Sequence, residues 1–255
     1  MITLIDGDVV AYRAACSPVR YWCEFYGVYK KREPTLTEAL NKCDDLMHEV
    51  INDSKMEAFD EDPCETFLTG KGNFRTHYAV TADYKGNRKS VERPQWLPAV
   101  RMHMMQTYDA TMSTGEEADD LLAIRATELG SDRACIASTD KDMLQVNCLH
   151  YNITRKEFTF MTAFEGLRWF YGQLIEGDRA DNIIGVKGIG PKKREKIHKD
   201  CTTEHDLHFT CVETFMDTGL TLEEATSRVL ENGRLAWLRR EVGQIWEPFT
   251  WGSYD

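Results

Sequence analysis

The sequence lacks the features that would place it outside ordinary globular enzymes. No apolar run approaches the roughly 20 residues that a membrane span needs, so a membrane protein is excluded. The opening residues, MITLIDGDVV, carry no basic region and meet acid at Asp6 and Asp8, which excludes a secretory signal and points to the cytoplasm. None of the eight cysteines forms a Cys-x-x-Cys pair, so free thiols are expected, several of them in the core. Cys201, His205, His208 and Cys211 come nearest to a metal pattern. Their spacing matches none of the common zinc arrangements, and Cys211 falls off the helical face of the other three, so a plain helical segment is expected. No repeat or low-complexity linker separates the parts, and 255 residues suffice for one large α/β domain or a catalytic domain with a smaller appendage. Positive charge is also short. A net charge of −11 argues at first against a nucleic-acid partner. Its distribution matters more, because Lys and Arg gather at Lys85 to Arg101 and Lys187 to Lys199 while acid gathers in short motifs that a metal could neutralise.

What is present reads as strands and helices in alternation. Ile2 to Asp6 predicts a short buried strand ending in Asp-Gly-Asp, followed by a helix over Val9 to Cys16 that carries Arg13. Residues 20 to 33, with Tyr21, Trp22, Phe25, Tyr26 and Tyr29, predict a hairpin turning near Gly27. Core or hairpin packing is the expected use of these rings, and an aromatic surface against DNA is the competing one. Apolar residues at the 3.6 period predict a helix over Thr35 to Lys55. An acidic loop, Glu57 to Asp62, a strand over Cys64 to Leu68, a loop over Thr69 to Asn73 and an extended segment over Arg75 to Thr81 follow. The basic strip Lys85 to Arg93 precedes a helix over Gln95 to Tyr108. Further helices are expected over Glu116 to Glu128, Thr162 to Ile175, 204 to 217 and 221 to 240, with a strand over Arg133 to Ser138, a short helix from Met143 and edge strands over Asn147 to Ile153 and Glu157 to Phe160. Thr221 and Glu224 have capping-box spacing, and Trp237, Trp246, Phe249 and Trp251 predict a tail packed back on the body.

Carboxylates concentrate where α/β folds bind ligands, at the carboxyl ends of strands. Asp6 closes the first strand, and Asp140 and Asp142 follow the strand ending at Ser138. Asp6 alone reads equally well as a turn residue beside Gly7. Glu116, Glu117, Asp119 and Asp120 crowd one helix start with more acid than the helix dipole needs. Acid at this density suits a hard divalent cation. Glu176 to Lys199 adds Asp178 and Asp181 beside Gly185, Gly188 and Gly190, which run into a basic helix start. Gly185 and Gly190 have the spacing of a nucleotide loop, but Pro191 stands where Lys is required and no buried strand precedes it, which excludes a nucleotide site. Gly188-Ile189-Gly190 before a basic helix instead suits a turn between helices whose N–H groups hold a DNA phosphate without reading sequence.

Five motifs stand in one order: IDGD at 5–8, YKGNRK at 84–89, EADD at 117–120, STDKDML at 138–144 and GDRADNIIGVKGIGPKK at 177–193. In that order the chain resembles the 5′-nuclease family of flap endonucleases and 5′→3′ exonucleases, the phage-type exonucleases in particular, over about residues 2 to 200. Residues 200–255, with GLTLEEA at 219–225, resemble the C-terminal part of the phage exonucleases more weakly. The resemblance implies an α/β fold with a mostly parallel central sheet flanked by helices. It divides the chain into a PIN-like catalytic core, residues 1–160, and a helical DNA-binding part, residues 161–255, with a helix-hairpin-helix-type motif. It further implies that Asp6, Glu117, Asp119, Asp120, Asp140, Asp142, Asp178 and Asp181 hold two or more Mg²⁺ or Mn²⁺ ions, consistent with two-metal phosphodiester chemistry. By the same resemblance Lys85 and Arg88 contact the scissile phosphate and share the catalytic role with Asp140 and Asp142. Tyr84 stacks on a terminal base, Arg13 lies near the 5′ end, and Gly188, Gly190, Lys192 and Lys193 grip duplex DNA, with a monovalent ion such as K⁺ on the hairpin carbonyls. The chain departs from the family after the second strand, where Thr69-Gly70-Lys71 replaces an Asp, so that ligand is missing or is supplied by Asp8. The segment between Arg93 and Gly115 is short for a closed helical arch.

The expected function is a metal-dependent 5′→3′ exonuclease acting on duplex DNA from a 5′ end, with flaps and RNA paired with DNA as further substrates. A monomer in the cytoplasm, that of the host for a phage-encoded chain, is expected, acting in replication or in breakdown of host DNA. A single-domain RNase of related fold and a non-enzymatic DNA-binding protein are the competing readings.

Overall fold

The computed structural model describes residues 1–54, 63–88 and 91–248. The acidic loop expected at Glu57 to Asp62, Lys89 of the first basic strip, Phe249 and Trp251 lie outside the described residues. The chain divides into two units, one made of residues 1–72, 92–139 and 149–159, the other of 73–91, 140–148 and 160–255.

The first unit is built on β1 (Ile2–Asp6), which leads directly into α1 (Gly7–Cys16). A hairpin of β2 (Val19–Cys23) and β3 (Val28–Arg32) follows, then α2 (Leu36–Asp53), β4 (Cys64–Lys71), α3 (Leu97–Thr107), β5 (Thr111–Thr114), α4 (Ala118–Leu129), β6 (Ala134–Ser138), β7 (Leu149–Asn152) and β8 (Glu157–Phe160). Six strands form one sheet in the order β5-β4-β1-β6-β7-β8, and β5/β4, β4/β1, β1/β6 and β6/β7 all pair in parallel. Parallel pairing brings the carboxyl ends of β1, β4 and β6 to one rim. Leu4, Ile5, Leu68, Cys135 and Ala137 are fully buried, the continuous apolar character of strands covered on both faces. Val10 and Ala14 of α1, Cys43, Leu46 and Met47 of α2, and Val100 and Met104 of α3 pack into the same core. Gly7 permits the abrupt strand-to-helix change, because a Cβ there would stand 2.6 Å from the Phe67 carbonyl oxygen.

The second unit is mostly helical. Short 3₁₀ turns lie at Phe74–His77, Gly86–Arg88 and Lys141–Gln145. They are joined by α5 (Ala163–Glu176), the two-residue antiparallel strands β9 (Gly177–Asp178) and β10 (Ile183–Ile184), α6 (Pro191–Ile197), α7 (Glu204–Met216) and α8 (Leu222–Ala236). Thr162 with Glu165, Thr203 with Asp206, and Thr221 with Glu224 form capping boxes at the starts of α5, α7 and α8. Phe170, Tyr171, Leu174, Leu207, Cys211 and Trp246 make its core. Trp246 packs where a Gly233 side chain would otherwise stand, and Trp237 meets Phe170 edge-on at 4.8 Å, so both tryptophans fold back as expected.

Several expectations are corrected. Arg75 to Thr81 is not extended: Asn73 accepts the Arg75 N–H (2.9 Å), and the buried Arg75 guanidinium donates to the carbonyls of Leu235 (2.9 Å) and Trp237 (2.7 Å), winding Phe74–His77 into a turn. Strand β4 continues through Thr69 to Lys71 where a loop was expected, because β5 pairs beside it. The hairpin forms as expected, but Trp22, Phe25, Tyr26 and Tyr29 all face solvent. All eight cysteines are free thiols and Cys201 and Cys211 are core residues. Among the described residues, no group of three or more His, Cys, Asp or Glu side chains is drawn together as a metal-ion site, either in the carboxylate motifs or at Cys201, His205, His208 and Cys211. No helix among the described residues is long and apolar enough to cross a membrane.

Candidate active site

The first unit contributes carboxylates from a strand end and a helix start. Asp6 is buried at the β1-to-α1 junction, where Oδ1 accepts the Val9 N–H (3.1 Å) as a helix cap and Oδ2 accepts the Ser138 hydroxyl at the end of β6 (2.6 Å). The turn role thus coexists with a position at the sheet rim. Helix α4 begins at Ala118, so Glu116 and Glu117 precede it rather than occupying its first turn. Glu116, Glu117 and Asp120 are buried, Asp119 is half-buried, and Asp120 accepts the Glu117 N–H at 3.1 Å. Burying carboxylates is unfavourable unless hydrogen bonds or cations compensate.

The place of the missing family Asp is filled by backbone fastening. Thr69 donates its N–H to Asp8 Oδ2 (2.9 Å), accepts the Ala118 N–H on its hydroxyl (2.9 Å), and accepts the Arg101 guanidinium on its carbonyl. Gly70 donates to the Ser113 hydroxyl (2.9 Å) and lies so close to the Ser113 carbonyl that a side chain has no room. Asp8 Oδ1 also pairs with Arg101 at 3.5 Å, so both oxygens of Asp8 serve this junction. Arg13, on α1, is half-buried, and its Nη1 is enclosed without a hydrogen-bond partner among the described residues.

The second unit holds the other four acids. Asp140 is exposed and caps the 3₁₀ turn by accepting the Asp142 N–H (2.9 Å). Asp142 Oδ1 accepts Gln173 Nε2 at 2.5 Å. Burial, followed by the charges of Asp140 and Asp178, pushes its carboxyl up to about 7. Asp178, buried on β9, accepts the Ala180 N–H (2.6 Å) and pairs through Oδ2 with Lys141 Nζ at 3.1 Å. Asp181 receives the Tyr84 hydroxyl (2.8 Å) and Arg88 Nη2 (2.8 Å), with Lys85 Nζ at 3.5 Å, while the Lys85 N–H donates to its carbonyl (2.9 Å). Tyr84, Lys85 and Arg88 of the motif at 84–89 are therefore gathered on one acid of the motif at 177–193. Tyr84 departs from its expected role: its ring packs with Ile183 and Leu235 and is only 8% exposed, leaving no face for a base to stack on. Lys141 and Gln173 were missed. Lys141 stands inside the STDKDML motif and was available to inspection, whereas Gln173, mid-helix on α5, carries no local signal.

Behind these acids the glycines divide by role. A side chain on Gly185 would collide with the Glu176 backbone, so Gly185 closes the β9/β10 hairpin. Gly188 has φ +83°, and nothing lies within 4 Å of a Cβ built on either Gly188 or Gly190. Lys192 and Lys193 are exposed at the start of α6, but Arg194 turns inward to pair with Glu176 (2.8 Å) over the Trp169 ring (4.1 Å).

Residues 1–166 match the family described as 5′-3′ exonuclease, N-terminal resolvase-like domain. The chain is 29% identical over 94% of its length to DNA polymerase I of Bacillus caldotenax, of which it spans 28%. It is 29% identical over 63% of its length to the flap endonuclease Xni of Shewanella woodyi and 33% identical over 46% to that of Vibrio parahaemolyticus, spanning 69% and 51% of those proteins. In fold it is similar to the bacteriophage T5 flap endonuclease solved as a pseudo-enzyme-product complex with DNA and metal ions, with a TM-score of 0.56, 17% identity, and coverage of 92% of this chain and 90% of that one. The T5 5′-exonuclease with bound zinc ions gives a TM-score of 0.58 at 17% identity, covering 92% and 88%. A family match over 166 of 255 residues makes this chain a member of the 5′-3′ exonuclease family of 5′-nucleases.

Proposed function

We propose that the protein is a metal-dependent 5′→3′ exonuclease that hydrolyses phosphodiester bonds from the 5′ ends of duplex DNA, and that it also cuts flaps and RNA paired with DNA. The observation that carries this reading is the convergence of Tyr84, Lys85 and Arg88 on Asp181 in a chain of this family, together with a group of acids in which burial and the charges of Asp140 and Asp178 raise the Asp142 carboxyl. Such an acid cluster is unfavourable by itself and is relieved by a cation. The donor set is all oxygen, which suits hard divalent ions such as Mg²⁺ or Mn²⁺. We assign Asp6, Glu117, Asp119 and Asp120 of the first unit and Asp140, Asp142, Asp178 and Asp181 of the second to these ions. When bound, they supply Lewis acidity that polarises the phosphodiester and makes water nucleophilic at neutral pH.

The chain's own cations do the rest. Lys85 and Arg88, already held together on Asp181, are the groups we assign to the scissile phosphate, while the Tyr84 hydroxyl, donating to Asp181, positions that carboxylate. Arg13, with its enclosed and unpartnered Nη1, is assigned to a phosphate near the 5′ end. The open space over Gly188 and Gly190 suits close approach of a duplex backbone, with Lys192 and Lys193 beside it and K⁺ on the turn's carbonyls. In this division of labour residues 1–160 form the catalytic core and residues 161–255 hold the DNA, with Asp178 and Asp181 lent to catalysis. The protein acts as a monomer in the cytoplasm.

Asp140→Asn and Asp181→Asn keep the shape of the side chain and remove its charge. Each is expected to abolish cleavage in Mg²⁺ while duplex binding, measured by gel shift, largely persists. Normal turnover by both variants would overturn the assignment.

A further inference from the structure

The β2/β3 hairpin is a two-stranded sheet of its own, and it carries an unusual surface for a chain so acidic. Its pairing register sets Arg20 opposite Lys31 and Trp22 opposite Tyr29. Because side chains alternate along a strand, these four lie on one face. Trp22 is 52% exposed and Tyr29 58%, and their rings meet edge-on at 5.2 Å. At the turn, Phe25 and Tyr26 form a second exposed edge-on pair at 4.8 Å. Cations interleave with the rings: Arg20 lies 4.1 Å from the Tyr29 centroid and Lys30 3.5 Å from that of Tyr26. Between Val19 and Arg32 there are four cations, Arg20, Lys30, Lys31 and Arg32, against one acid, Glu24, a net of +3 in a chain of net −11. Arg32 is anchored by Glu38 at 2.6 Å, whereas Lys31 has no carboxylate partner among the described residues.

Four exposed rings on an unpacked ribbon contribute little to its stability, and an aromatic surface of this extent on a folded chain marks a binding site. Rings alternating with cations supply what an unpaired nucleic-acid strand requires, stacking faces for bases, as on the exposed Trp22 and Phe25, and positive charge for phosphates, without reading sequence. We propose that this hairpin is a docking surface for single-stranded DNA, separate from the residues assigned to cleavage. The inference rests on the nucleic-acid reading of the chain only in the choice of DNA as ligand, and its test requires no turnover.

The full chain in chelator is titrated with an oligo(dT) of about 16 nucleotides and, separately, with blunt duplex, following tryptophan fluorescence and anisotropy. Oligo(dT) is expected to quench the wild type more than Trp22→Phe. Trp22→Ala combined with Tyr29→Ala is expected to weaken oligo(dT) binding at least about fivefold, with a smaller loss on duplex. Lys31→Ala, which removes an exposed and unpaired cation and so leaves the fold intact, is expected to lower the salt slope by about one. Oligo(dT) affinities within twofold of wild type in all three variants, or equal losses on single strand and duplex, would overturn the proposal; the first result would leave the face to a protein partner. Because cleavage is silenced by chelator, failure here leaves the nuclease assignment standing, and failure of that assignment leaves this result readable.

Discussion

Asp142 takes up a proton on folding, because its carboxyl titrates at about 7 in the folded chain and near 3.8 when free. A raised carboxyl makes the folded state bind more protons than the unfolded one between those values, so its contribution to stability falls as pH rises through that window. His198 works in the opposite sense. Burial and the Arg168 and Arg194 charges push it down to about 4, so its contribution is lost as pH falls from 6.5 towards 4. Comparing Asp142→Asn with wild type cancels the histidine and isolates the carboxyl, and asparagine can still accept from Gln173. In metal-free thermal unfolding, the two proteins are expected to be alike near pH 4, with the variant more stable above pH 7. The gap is on the order of a few kcal/mol at most, each tenfold in proton affinity being worth about 1.4 kcal/mol. A gap that is constant with pH would show that Asp142 is not held protonated. At this scale the sequence was legible where charge types recur in motifs, as with Asp6, Asp140 and Asp178. It was not legible where a side chain acts through a distant partner, as Gln173 does on Asp142, or where burial removes a ring from use, as at Tyr84.

Among the elements, the glycine run of the β9/β10 hairpin and the α6 start separates packing from recognition within six residues, 185 to 190. Gly185 has no room for a Cβ against the Glu176 backbone, whereas Gly190 has an extended φ of −134° and open space around it. Gly185→Ala is therefore expected to destabilise the fold by about 1–3 kcal/mol or more. Gly190→Ala is expected to cost no more than about 1 kcal/mol, the difference between the two residues at a helix cap, while weakening duplex binding. Thermal unfolding and a duplex-binding isotherm on both variants check the pair; the reverse ranking would contradict these roles. Elements with a strong period were legible, as α2 was from its apolar spacing and α8 from its Thr221–Glu224 cap. Strand β5 was not, since Thr-Met-Ser-Thr at 111–114 has no alternation and owes its form to pairing with β4. The exposure of the β2/β3 rings was equally hidden, because alternating aromatics read the same whether they face a core or water.

At the scale of the whole molecule, total charge was a poor guide and its placement a good one. The assigned carboxylates are spread from Asp6 to Asp181, cations are enriched in two strips and the hairpin, and the order of motifs along the chain carried more of the functional assignment than any single element. The family match covers residues 1–166 and the structural likeness the fold, while direction of attack and metal dependence are properties of the protein at work. Digestion of duplex DNA labelled separately at its 5′ and 3′ ends, in Mg²⁺ and in chelator, measures both at once. The account predicts that 5′ label is released first as short products, that 3′ label stays in long DNA until late, and that chelator stops both. Release of 3′ label first, or undiminished hydrolysis in chelator, would contradict it.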